Sequence, residues 1–303
     1  VLHRVVQAHL PGFLERLDEA DRHLPAYVLR ELEALLDCGN PEGGVLLLRC
    51  AACGESRALP FSCQRRAFCP SCGGRRMAQT AAHLVDRVFP DVCVRQWVLT
   101  LPYPLRCRLA WDPSLCKELL ACFTMEVHAF YAQQVSVTAR TGSVTVVQFC
   151  GQDLRLNVHF HTLVVEGAYD WEEASEALVF QPLPPPRTAE VQQLVDAISQ
   201  RVEGLVRARG LLDEHGDAQE QEQDPDDALR LLQGLSADGR ALSGPRAGRK
   251  PRHLRGSPRQ GHTRRLPPRT AQRGYFNLHA DTAVAPRDRE ARERLCRYVA
   301  RPP

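Results

Sequence analysis

Leu156-Asn157-Val158-His159-Phe160-His161-Thr162-Leu163-Val164-Val165 is the stretch on which the reading of this chain turns. It is dense in β-branched and apolar residues, contains neither glycine nor proline, and reads as a strand. Strand side chains alternate between two faces. His159 and His161 therefore share one face, with Asn157 beside them. Val158, Phe160 and Val164 take the other face, where they can pack under helices. Two neutral imidazoles side by side on a rigid strand can hold a divalent metal ion. A hydrophobe suits the position between them, because it points into the core. Taken alone, a His-x-His pair is more often two half-exposed strand residues than a metal site, so the rest of the chain has to decide.

Just upstream, Ser143–Phe149 is a second strand, and the loop Cys150–Arg155 makes the two a hairpin. Val94–Leu101 is a further strand, ended by Pro102, and Leu115–Gln134 reads as a helix. Residues 188–209 form an amphipathic helix with Val191, Leu194, Val195, Ile198, Val202, Leu205 and Val206 on one stripe. Tyr275–Val284 reads as a strand and Pro286–Val299 as a helix, with Pro286 near its first turn. Tyr298 shares a stripe of that helix with Ala291 and Leu295, so the helix pattern alone makes it a core residue. At the other end, residues 3–37 are helical with a break at Pro11-Gly12, and residues 77–89 are a short helix leading to Pro90.

Two segments look different. Asp213–Asp227 is acidic and rich in glutamine, whereas Arg240–Arg273 is rich in arginine, proline, glycine and serine. Both read as solvated linker, so a charged, disordered segment is expected over 213–273. Its basic half is either a simple tether or a tether that also grips phosphates. The net charge is only +3, so the distribution of charge says more than its sum. No apolar run approaches the roughly 18 residues of a membrane span, and the N-terminus does not read as a secretory signal.

Six of the 12 cysteines fall within residues 38–72. Without an export signal, that crowding suits a reduced, cytoplasmic chain with a metal site. Cys50-Ala-Ala-Cys53 and Cys69-Pro-Ser-Cys72 are two C-x2-C pairs separated by fifteen residues. Two such knuckles supply four thiolates, the set that closes a tetrahedron around structural zinc. Gly54 and Gly73 follow the pairs and permit tight turns. Cys38 and Cys63 lie close enough to replace one of the four or to help form a second site. Arg49, Arg57, Arg65, Arg66, Arg75 and Arg76 make the module cationic. That suits either a DNA-binding surface or a solvated structural knob.

Taken together, these pieces resemble the rolling-circle transposases of the insertion-sequence-91 type and the related insertion-sequence-common-region elements. The matching residues are Phe61-Ser62-Cys63, Cys69-Pro70-Ser71-Cys72, Arg75-Arg76-Met77, and Val94-Arg95-Gln96-Trp97-Val98-Leu99-Thr100-Leu101-Pro102. The His159-Phe160-His161 strand and the closing run Leu295-Cys296-Arg297-Tyr298-Val299-Ala300-Arg301-Pro302-Pro303 complete the set. Such proteins are HUH endonucleases, named for histidine–hydrophobe–histidine. The resemblance implies an α+β fold: an antiparallel sheet flanked by helices, preceded by N-terminal helices and a small zinc module. It also implies a division into residues 1–89, holding the cysteine module 38–76, and a catalytic region 90–303.

The implied activity is that of a transposase that nicks and rejoins DNA. Mg2+ or Mn2+ would sit on His159 and His161, and Tyr298 would be the nucleophile that forms a 5′-phosphotyrosine. Structural Zn2+ would sit in the cysteine module. Asn157, Glu290 and Glu293 are open choices for a third ligand of the catalytic metal. Arg292, Arg294, Arg297 and Arg301 surround Tyr298 in sequence, and Trp97 and Tyr103 are candidates to meet DNA. The implied partners are single- and double-stranded DNA at element ends and targets, with no membrane and no small-molecule substrate. Many relatives carry a second tyrosine one turn earlier, where this chain has Arg294, which points to the one-tyrosine branch. Two alternatives use the same residues: a truncated or inactive relative that only binds DNA through zinc, and a plasmid replication initiator or relaxase.

Overall fold

The structure is a computed structural model that describes residues 1–65, 69–151, 155–211, 228–240, 248–249 and 266–301. Two helices open the chain, α1 (Leu2–Glu19) and α2 (Ala26–Asp37). The break expected at Pro11-Gly12 does not occur, because α1 continues through Pro11 and the chain turns after Glu19 instead. Proline removes one ladder hydrogen bond, and a helix of 18 residues retains the others. A hairpin follows, β1 (Val45–Arg49) and β2 (Ser56–Pro60), paired from Val45↔Pro60 at its base to Arg49↔Ser56 at its tip. Helix α3 (Pro70–His83) then leads through a wide turn, Leu84–Val88, to the main sheet.

The sheet begins with β3 (Val94–Thr100). Helices α4 (Tyr103–Leu109) and α5 (Pro113–Gln133) lead to β4 (Ser143–Cys150) and β5 (Leu156–Val165). A small outlying hairpin, β6 (Gly167–Glu172) and β7 (Ala177–Pro182), precedes α6 (Thr188–Ala208) and α7 (Ala228–Ala237). The chain ends with β8 (Thr270–Arg273), β9 (Phe276–His279), β10 (Ala283–Val284) and α8 (Arg289–Val299). The main sheet has the order β4-β5-β3-β9-β8, with β10 also paired to β3, and every pairing is antiparallel. The fold is thus α+β, as expected.

Both faces of the sheet are covered, and the parity of each strand decides what covers them. Trp97, Leu99, Val158, Phe160, Val164 and Leu278 face α5 and α6, where Phe123, Val127, Tyr131, Val195 and Ile198 complete the larger core. Phe160 stacks on Phe123 with ring centroids 6.2 Å apart. On the opposite face Val94, Leu163 and Val165 meet Ala81, Leu84, Val85 and Phe89, together with Leu295, Cys296 and Val299 of α8. This second face is the one that carries His159 and His161.

The linker expected over 213–273 is interrupted by regular structure. Helix α7 lies within it and buries Ala228 and Ala237, and β8 begins at Thr270 with Ala271 buried. The acidic run and most of the arginine-rich run lie outside the described residues. The single strand expected over Tyr275–Val284 is two short ones, β9 and β10, both alongside β3. Among the described residues no helix is long and apolar enough to cross a membrane.

Candidate active site and metal centre

His159 and His161 stand side by side on β5 with ring centroids 4.8 Å apart. His161 is buried, at 2% exposure, and His159 is half-buried. Each ring is held through its Nδ1. His159 Nδ1–H donates to the Asn157 carbonyl at 2.5 Å. His161 Nδ1 lies 2.7 Å from the side-chain amide of Gln96 on the neighbouring strand. An amide can serve either tautomer. With its carbonyl turned toward Nδ1–H, it leaves His161 Nε2 with a free lone pair. That Nε2 is buried and has no hydrogen-bond partner among the described residues.

Burial lowers the pKa of both imidazoles. His161 falls to about 4, through loss of solvent first, then the neighbouring His159 and the charge of Arg301. His159 is lowered by the same loss of solvent, against the Asn157 carbonyl that favours its charged form, with Arg106 adding repulsion. Both rings are therefore neutral near pH 7, the state a metal ligand requires. An orphaned buried nitrogen beside a second neutral imidazole fits a divalent cation. No third His, Cys, Asp or Glu joins the pair among the described residues. Glu290 and Glu293 are engaged with Arg294 and Arg297 on the outer side of α8, whereas Asn157 Oδ1 is buried without a partner.

Tyr298 comes to this pair because α8 is fixed at both ends. Asp288 caps it by accepting from the Ala291 N–H at 2.9 Å. Arg292 is buried and donates to the carbonyls of Pro90 and Val92 and to Asp91. At the other end Gln148, on β4 directly opposite His159, donates to the Val299 carbonyl at 3.1 Å. Leu295, Cys296 and Val299 point inward, so Tyr298 sits at the border of that face and is 39% exposed. Its ring meets His161 edge-on, 5.5 Å between centroids. The Arg301 guanidinium lies 4.7 Å over the tyrosine ring. Of the four arginines around Tyr298 in sequence, Arg292 is tied to the loop before β3, Arg294 and Arg297 pair with glutamates, and Arg301 is the one over the ring.

Several positions around the histidine pair escaped the sequence reading. Gln96 is a polar residue in the middle of an apolar strand, and the parity of β3 against β5 would have placed it on the histidine face. Gln148 could have been found in the same way on β4. Arg106 needed the tertiary fold, because nothing local links α4 to β5. Trp97, a candidate to meet DNA, is instead fully buried and donates to the Tyr131 hydroxyl at 3.1 Å. Tyr103 is partly exposed, with its hydroxyl bonded to Asp238 at 2.8 Å.

The cysteine module required a correction. Cys69 and Cys72 do converge with two other thiols, but these are Cys38 and Cys63, and not Cys50 and Cys53. All four sulfurs lie within 4.8 Å of one another. Individual separations are 3.4 Å for Cys38–Cys69, 3.5 Å for Cys63–Cys72 and 3.8 Å for Cys38–Cys72. A tetrahedron with zinc–sulfur bonds of about 2.3 Å has sulfur–sulfur edges of about 3.8 Å, so the four fit a zinc ion.

The reason lies in the hairpin register. Val45↔Pro60 closes the base of the β1/β2 hairpin, while Gly39 N–H donates to the Phe61 carbonyl and Phe61 N–H to Gly44. Residues 38 and 63 are thereby drawn together at the base. Five residues of strand carry Cys50 and Cys53 to the tip, roughly 17 Å away.

The electrostatics of the cluster agree with a cation. Burial pushes Cys63 up to about 12. Burial also opposes ionisation of Cys72, but hydrogen bonds from Cys63, the Gln64 backbone, Cys38 and Ser62 carry it down to about 7. Thiols this close cannot all ionise by themselves, and a dication removes the conflict.

Two family models match the chain. The transposase zinc-binding domain of the insertion-sequence-91 type matches residues 5–101. The family described as "Putative transposase" matches residues 142–303, more than half of the chain. No curated protein and no solved structure matches the chain. With a zinc-binding domain that holds a four-thiol cluster, followed by a transposase region that holds the histidine pair, the chain belongs to the transposases of the insertion-sequence-91 type.

Proposed function

We propose that this transposase nicks and rejoins single-stranded DNA at the ends of its element, through a 5′-phosphotyrosine on Tyr298, as in rolling-circle transposition. The observation that carries this reading is the approach of the Tyr298 ring to His161, 5.5 Å between centroids, at the border of a buried metal-ligand pair. Residues 90–303 would do the chemistry. Residues 1–89 would grip duplex DNA with the exposed arginines of the zinc module, in the cytoplasm where the nucleoid lies.

His159 and His161 would hold Mg2+ or Mn2+, which would supply Lewis-acid stabilisation of the charge that develops on the phosphate. Arg106 and Arg301 raise the local positive potential and favour a phosphate beside Tyr298. The Tyr298 hydroxyl oxygen attacks phosphorus. A tyrosyl O–P bond forms and the bond to the 3′-oxygen breaks. The phenol proton leaves to solvent and the departing 3′-oxygen takes one up, so the proton count is unchanged. One phosphodiester is exchanged for another, and a free 3′-OH can later reverse the link without a nucleotide cofactor.

A denaturing gel can test this. The full chain is incubated, with Mn2+ or Mg2+, with single-stranded oligonucleotides tiled across both strands of the DNA flanking its coding sequence. A covalent protein–DNA adduct is expected, and Tyr298→Phe should lose it by at least about a thousand-fold. An adduct that persists in Tyr298→Phe, or no adduct with any oligonucleotide and either metal, overturns the proposal. The second outcome would leave a protein that only binds DNA.

A further inference from the structure

The cysteines left out of the four-thiol cluster form a site of their own. Cys50 and Cys53 are both exposed, at the tip of the β1/β2 hairpin. The tip is a formed turn. Cys50 N–H donates to the Glu55 carbonyl at 2.8 Å, and Gly54 N–H donates to the Cys50 carbonyl at 2.9 Å. Gly54 closes it with φ +73°, in the left-handed region that favours glycine. Two cysteines three residues apart on a formed turn, with glycine after the second, have the spacing of one knuckle of a thiolate metal site. A knuckle is half of a tetrahedral set.

The described residues do not supply the other half. Among the described residues, Cys38, Cys63, Cys69 and Cys72 are the one group of three or more metal donors, and the hairpin register holds the tip away from them. The ribbon that carries the knuckle is itself unpartnered, since every residue of β1 and β2 is exposed. Leu46, Leu47, Leu48 and Leu59 are between 47% and 71% exposed. A free two-stranded ribbon is marginal in water, and its apolar strands are a template for pairing.

We propose that Cys50 and Cys53 are one half of a second zinc site, completed by the same two cysteines of a second copy of this chain. A twofold axis through the ion brings two identical pairs into one four-thiolate set, and that closure needs no other sequence. An all-thiolate set selects zinc over magnesium or manganese. The same axis lays one face of each ribbon, that of Leu46, Leu48 and Leu59, against its copy and removes those leucines from water. The proposal is independent of the nicking chemistry, and its test contains no DNA.

The test measures zinc content and molar mass of the full chain, purified with zinc under a phosphine reductant that keeps thiols free. The expected result is a dimer with about 1.5 zinc ions per chain, one inside each chain and one shared. The double variant Cys50→Ser/Cys53→Ser should be a monomer with about one zinc per chain. The proposal is overturned by a monomer with two zinc ions, or by a dimer whose mass and zinc survive the double variant. A monomer with one zinc also overturns it. If the double variant then loses that ion, the pair belongs to the intrachain site, and if it keeps the ion, the pair is idle. The wild-type stoichiometry decides even if the variant fails to fold.

Discussion

The β4/β5 hairpin and the β1/β2 hairpin each carry metal-ligand candidates, and they are placed in opposite environments. Along β5, residues Phe160–Val165 are all buried, whereas every residue of β1 and β2 is exposed. On β5, helices cover one face, and α8 with the turn after α3 covers the other. Of the histidines there, His161 is buried and His159 half-buried, and both are neutral near pH 7 and fixed by hydrogen bonds. At the tip of β1/β2 the cysteines are exposed to solvent. The comparison teaches that ligand identity and spacing do not make a site. The same kind of motif on a strand or turn is preorganised where the fold buries it, and incomplete where the fold leaves it out.

The sharpest break of this contrast is Phe160→Ala. Phe160 is fully buried and stacked on Phe123. Truncating it should cost about 3–5 kcal/mol from lost burial and the cavity left behind. It should also loosen the two histidines on either side. Urea unfolding measures the first effect, and Mn2+ affinity by calorimetry measures the second. A loss below about 1 kcal/mol would mean that the strand is not held through this face.

Why one hairpin was legible and the other was not follows from the same contrast. The β5 stretch declares its two faces by residue type, so its direction, its partner β4 and the shared face of His159 and His161 could be read directly. Tyr298 was different. Its helix stripe suggested a core residue, and its position beside His161 depends on Gln148 and Arg292 anchoring α8, contacts made across more than a hundred residues of sequence. The thiol cluster was misread because spacing pairs Cys50 with Cys53 but does not say which end of a hairpin each pair occupies. Helix α7 and strand β8 were hidden among charged runs. Ala271 is buried because β8 pairs with β9, not because its neighbours are apolar.

Acid should distinguish the two hairpins by a smaller amount. In an unfolded chain the imidazoles titrate near pH 6.5, whereas in the fold His161 is depressed to about 4 and His159 is also lowered. Both are neutral in either state above about pH 6.5, so their contribution is complete there. Below it the unfolded chain takes up protons that the folded chain refuses, and stability falls as pH drops toward about 4. His128 and His279, depressed by burial, act in the same direction. The measurement is the urea midpoint at pH 7 and pH 5 for zinc-loaded protein with no added magnesium or manganese, compared with His161→Asn. The variant should lose less stability between the two pH values. An equal loss in both would remove His161 as a source of the acid sensitivity.

The smallest effect should come from the exposed ribbon. Leu46 is 51% exposed and pairs across the ribbon with Leu59, on the face it shares with Leu48. In a monomer, Leu46→Lys replaces an apolar side chain that is largely in water with a charged one, and the thermal stability should stay within about 0.5 kcal/mol of the parent. In a dimer joined through the ribbon, the same change puts two ammonium groups near the twofold axis. Their repulsion, together with the lost leucine contact, should weaken association by about tenfold or more. Sedimentation over a concentration series reads that change, and thermal unfolding of the dissociated chain reads the other. A variant that associates as tightly as the parent would show that the leucines of β1 are not in the contact. The ribbon would then owe its exposure to some other requirement than pairing with its own copy.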